Sequence, residues 1–259
     1  MYKNRKLAWL IAFAMVFTIV APLGVNTAVA QGKDMSDLVA ELNKVYPYID
    51  EGEKSDIRTA RSNLQNLTDE QWNNVLNPLL TEQVKDKLGD DAQETLKQVA
   101  VDAAKINYAT DDGQLESNLN AFKENNKNTF KLLFGDDTTM TEMADFLISS
   151  RANLKSAALS KQDTVLYGTN AELAAVMPVV VKEAAQKAIA QPEFSNFRGK
   201  LSNIGWSTDL LVERHHELVG IVDPGQAAEL ALAKAWVRSE AKVKKGDIEL
   251  TPTGTFYSD

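Results

Sequence analysis

Glu213, His215, His216 and Glu217 are the residues whose types and spacing come closest to a site. On a helix, Glu213, His216 and Glu217 fall three and four positions apart and share one face. Two carboxylates and one imidazole would then converge, so these three are the candidate metal ligands of the chain. A zinc helix of the His-Glu-x-x-His type needs a second His four residues after the first. Four residues after His216 stands Gly220. The competing reading is a solvated helix face carrying charge pairs at i,i+4 spacing, with either His partly buried and hydrogen-bonded.

Asp111, Asp112, Glu116, Asp136 and Asp137 offer oxygen ligands for calcium. An EF-hand loop needs acids at alternate positions, Gly at six and Glu at twelve, and neither stretch has that order. Acidic caps and first-turn charges account for them. The chain carries no Gly-rich phosphate loop and no Gly-x-Ser-x-Gly elbow. No catalytic residue and no cofactor is therefore expected. Paired carboxylates of a glycosidase are defined by their separation in space, which leaves a hydrolase open as an alternative. Trp72, Trp206, Trp236, Tyr46 and Tyr48 suit a sugar or peptide groove or, at helical spacing, the core. Asn126 interrupts the stripe Leu115, Leu119, Phe122, Phe130, Leu133, either setting register or marking an outward turn. Arg151 lies beside Leu147 and Leu154, its stem covering apolar surface while its head reaches water or a carboxylate.

Composition narrows the classes further. The 259 residues include 28 Lys+Arg, 36 Asp+Glu, two His and no Cys, with 44% hydrophobic residues. Such a balance excludes a membrane-spanning body, a fibre and gross disorder. Absence of Cys excludes disulfides, thiolate zinc sites and cysteine catalysis. Residues 1–30 read as a signal peptide. Lys3, Arg5 and Lys6 precede the uncharged apolar run 7–20, Pro22 and Gly24 break it, and Ala28-Val29-Ala30 offers the cleavage site. The run is too short to cross a bilayer. Removing the leader's three basic residues takes the net charge from −8 to −11. That charge disfavours nucleic acid and, after cleavage, an anionic membrane surface.

Residues 31–245 read as one helical domain. Met35, Leu38, Val39, Leu42 and Val45 form an amphipathic stripe. Thr68 with Gln71, Asp91 with Glu94, and Thr169 with Glu172 have capping-box spacing. Asn77-Pro78 and Asp223-Pro224 read as helix starts, Gly89 and Gly135 as helix stops, and Ser207 as an N-cap. The Ala- and Val-rich segment 169–190, with Pro178 inside it, reads as a kinked central helix. The expected fold is all-α: a bundle of about eight to ten short-to-medium antiparallel helices with a short β-like tail. Residues 246–259 read as a linker and the first strand of a following β-domain.

Two stretches carry a resemblance. Residues 1–30 look like the leaders of surface-layer and other exported wall proteins of Gram-positive, Bacillus-like bacteria. Ile248-Glu249-Leu250-Thr251-Pro252-Thr253 is similar to the opening strand of bacterial immunoglobulin-like domains. The resemblance implies a helical N-terminal module of a larger wall-associated protein, secreted or held at the cell surface. No sorting signal, surface-layer-homology motif or lipobox accompanies it. The expected function is a non-catalytic structural or interaction module, with the cell wall or other surface proteins as partners. The alternatives are a wall-acting hydrolase and an ion- or ligand-binding helical module.

Overall fold

Residues 35–109, 112–241, 248–250 and 256–258 are described by a computed structural model. The expected signal peptide, the calcium candidate Asp111 and the linker at Gly246 lie outside the described residues. The helices are α1 (Met35–Asn43), α2 (Glu51–Gln65), α3 (Asp69–Leu76), α4 (Glu82–Leu88), α5 (Ala92–Asn107) and α6 (Asp112–Phe134). They continue as α7 (Thr138–Leu159), α8 (Gln162–Tyr167), α9 (Asn170–Ile189), α10 (Ser195–Ser202), α11 (Thr208–Val222) and α12 (Ala227–Ala241). The body is an all-α bundle. A hairpin follows it, with β1 (Ile248–Leu250) antiparallel to β2 (Phe256–Ser258) and Glu249 opposite Tyr257.

Local chemistry sets most of the helix starts. Thr68 and Thr169 each close a full capping box with Gln71 and Glu172, and Ser207 Oγ accepts from the Leu210 N–H. A third box, Asp50 with Glu53, opens α2. Elsewhere the starts differ from expectation. Asn77-Pro78 begins only a 3-10 turn, because Leu80 leaves the helical region at ψ 58°, and α4 starts afresh on the Thr81 hydroxyl. Asp91 makes no side-chain cap, since the chain enters α5 already turning through Gly89–Asp91. Gly89 stops α4 at φ 68° and ψ −150°, a positive φ that suits glycine but lies outside the left-handed helical region expected of its cap. Pro224 lies in a turn, and α12 begins three residues later at Ala227.

The central helix is α7, not α9. α7 packs against α9, α12, α6 and α1, and it buries residues all around its circumference, Ser149, Ser150, Arg151 and Asn153 among them. A helix covered on every side has no polar face, so its polar side chains bond inward. Asn153 Nδ2, for example, donates to the Ser149 carbonyl at 2.9 Å. In α9 only the half after Met177 is consistently packed; Ala171, Ala174 and Ala175 are exposed, and Val179 is 45% exposed. Its run of small residues offers little area to bury. The helix nevertheless continues through Pro178. Trp72, Trp206 and Trp236 are all core, and the Trp206 indole N–H donates to the Leu79 carbonyl at 2.8 Å.

Asn126 sets register rather than turning outward. It is 1% exposed and donates to Asp102 Oδ2 at 3.3 Å and to the Phe122 carbonyl at 2.9 Å. Asp102, buried on α5, also accepts from Gln98, Asn125 and Lys105, which ties α5 to α6. Burial raises the Asp102 pKa, but the bonds from Lys105, Gln98 and Asn125 outweigh it and hold the carboxyl below its ordinary range. Asp102→Ala is expected to cost about 1–3 kcal/mol, because Asn126 would be left buried without that acceptor. Urea unfolding at neutral pH measures it, and the difference from the parent should shrink on acidification below the ordinary carboxylate value.

Candidate functional site

Two cavities share a wall inside the bundle. The larger, about 90 Å³, lies among α3, α5, α7 and α11 and is partly open to the surface. Leu76, Leu96, Phe122, Leu147 and Leu218 make it apolar, and Ala100, Ala103 and Ala104 keep the α5 side shallow. The smaller, about 20 Å³, lies between α7, α9 and α12 and is lined by Ser150, Arg151 and Glu229 with Leu154, Val181, Ala184 and Leu232. Its size admits one water molecule. Asn107 and His215 stand in the walls of both. At roughly 24 cal/mol per Å³, an empty void of the larger size forfeits about 2 kcal/mol of packing.

Around the two cavities polar groups stand in unusual states. His215 keeps some accessible surface, yet protein surrounds it closely, and that surface faces the cavities. Burial, with a smaller contribution from His216, pulls its pKa down to about 4, so the imidazole is neutral at pH 7. Burial pushes Glu229 up to about 7; Arg151 opposes the rise and Asp223 adds to it. The Tyr108 hydroxyl, 1% exposed, has no hydrogen-bond partner among the described residues.

Arg151 anchors this region. Among the described residues its head pairs with no carboxylate: one guanidinium nitrogen donates to the Ile106 carbonyl at 2.8 Å and to the Asn107 carbonyl, the other to the Tyr46 hydroxyl at 3.1 Å. The two carbonyls belong to the last turn of α5, whose terminal acceptors lack partners within the helix. A cation there also suits the negative end of the helix. Asp223 performs the opposite service for α12. Its carboxylate accepts from the N–H groups of Ala227 at 2.9 Å, Ala228 at 2.7 Å and Glu229 at 3.2 Å. Burial raises the Asp223 pKa despite those three bonds. Asp223→Ala should cost about 2 kcal/mol as a lost cap. It should also lower the Glu229 pKa by removing a neighbouring negative charge, which a carboxyl NMR titration would read.

The sequence-derived metal candidates do not come together. Glu213 pairs with Lys182 and Glu217 with Arg214, while the buried His216 Nε2 has no partner among the described residues. Among the described residues no group of three or more His, Asp or Glu could hold a metal ion. Asp136 works as a cap: it accepts from the Thr138 hydroxyl and from the Thr139 N–H and hydroxyl, which draw its pKa down to about 2. Sequence reasoning missed Glu229, Asn107 and Tyr108. Glu229 reads as an ordinary first-turn acid, and only the packing of α12 on α7 and α8 reveals that it is buried. Compared with known proteins, the chain matches no family model, no curated protein and no solved structure.

Proposed function

We propose that the chain is an exported, non-catalytic helical module that acts at a bacterial cell surface through binding. The observation that supports this reading is what the interior ionic groups do. Arg151 and Asp223 complete helix ends, Asp102 ties α5 to α6, and Arg238 clamps Glu53 across α2 and α12. Each is committed to holding helices together. The leader pattern of residues 1–30 supplies the export part of the proposal.

The hydrolase alternative would need two carboxylates flanking a substrate. Asp223 and Glu229 both have raised pKa values, as a catalytic pair would. However, Asp223 is occupied by three N–H groups, and Glu229 faces a chamber of about 20 Å³, too small for a sugar ring. Co-sedimentation of residues 31–259 with purified Gram-positive wall sacculi tests the proposal. Retention in the pellet with intact sacculi is expected. No retention would overturn the wall as partner, and release of soluble wall fragments would overturn the non-catalytic reading.

A further inference from the structure

We propose that the larger cavity binds the alkyl chain of a small linear amphiphile with a neutral hydrogen-bonding head, which Asn107 and His215 receive. This goes beyond the surface role, and either can hold without the other. Three observations carry it. First, the cavity is a preformed void lined almost wholly by aliphatic and aromatic side chains. At about 90 Å³ it is smaller than the roughly 150 Å³ cavity that admits benzene, but it is partly open to the surface, so a narrow flexible chain can thread it where a rigid ring cannot.

Second, two of its polar lining residues, Asn107 and His215, make no side-chain hydrogen bond among the described residues. Polar side chains that line an apolar void without partners are rare, and a ligand head that both donates and accepts would satisfy them. Third, the charged residue in the lining of the larger cavity, Arg214, already pairs with Glu217. A neutral imidazole beside a cation that is already paired favours an alcohol head over a carboxylate.

The test uses residues 31–259 with 1-hexanol, sodium hexanoate and benzene at millimolar concentrations, followed by calorimetry and by fluorescence of Trp206, which lines the cavity. Saturable binding of 1-hexanol is expected, at least tenfold tighter than hexanoate, together with a rise in Tm. Ala103→Leu, which fills the void, should weaken 1-hexanol binding at least tenfold without lowering Tm. Ala100→Val serves the same purpose if that variant does not fold. Asn107→Leu should weaken 1-hexanol at least tenfold, and benzene, whose rigid ring does not suit the void, should not bind the parent saturably. Absence of saturable binding, equal binding by the cavity-filled variants, or hexanoate binding as tightly as 1-hexanol would each overturn the proposal.

Discussion

Arg238→Met is expected to destabilise the protein by about 3–5 kcal/mol, the largest loss of any single substitution considered for this chain. Arg238, on α12, donates to Glu53 through two nitrogens, at 2.9 and 3.0 Å, and to the Tyr48 carbonyl at 3.0 Å. Both side chains are about nine-tenths buried. Removing the guanidinium leaves the Glu53 carboxylate enclosed in protein with no cation beside it. Glu53 is also half of the Asp50 capping box, so the loss propagates to the start of α2. Adding Glu53→Gln removes the stranded charge and should restore part of the stability, about 1–2 kcal/mol or more. A double-mutant cycle in urea measures this. Additive losses would show that the two residues act separately.

Glu229→Gln is expected to stabilise the protein, and the gain depends on pH. The ordinary pKa is 4.5, and in the fold it rises to about 7. A raised folded value means that the native state holds the proton more tightly than the unfolded chain. The stabilising effect of protonation is thus fully present below pH 4.5 and is lost as pH rises through 7. At 1.36 kcal/mol for each tenfold difference in proton affinity, the loss is on the order of 3 kcal/mol by pH 8. Gln cannot ionise, so the variant should gain that amount at pH 8 and almost nothing at pH 4. His215 has the opposite dependence. Its pKa falls from 6.5 to about 4, so its contribution is present above 6.5 and is lost as pH falls through 4. The two groups nearly offset each other between these limits, and Glu229→Gln should unmask the acid limb. A gain of equal size at all pH values would contradict the electrostatic assignment.

The bundle was legible because its punctuation is local. Thr68, Thr169 and Ser207 do in the fold what their types and spacing predict, since each acts within one turn of its own helix. Proline misled at Asn77-Pro78 and Asp223-Pro224, where a proline suited to a first helical turn instead sits in a 3-10 or open turn. The centre of the bundle was harder to read. Apolar periodicity points to the Ala- and Val-rich α9, whereas α7, with Ser149, Ser150, Arg151 and Asn153, occupies the middle. Its polar residues are tolerated there through long-range bonds such as Arg151 to the end of α5, forty-five residues away in sequence.

The cavity wall was only half legible. His215 stood out by residue type, but the motif logic favoured its neighbour His216, which lies on the face with Glu213 and Glu217. Helical spacing says which residues share a face, not which face meets another helix. The pairing of Glu213 with Lys182 on α9 and the burial of Glu229 on α12 both depend on that second choice. Asn107 was invisible for the same reason. An Asn at a helix end normally meets water, and here the chain folds α7 and α11 over it.

The central proposal is that this bundle breaks no bond, with Arg151, Asp223, Asp102 and Arg238 committed to joining and capping its helices. It is tested most directly by following the turbidity of purified wall sacculi exposed to residues 31–259 and to the Glu229→Gln variant. Turbidity should stay constant with both proteins across pH 5–8. Clearing by the parent chain that the variant fails to produce would make Glu229 a catalytic acid and contradict the account.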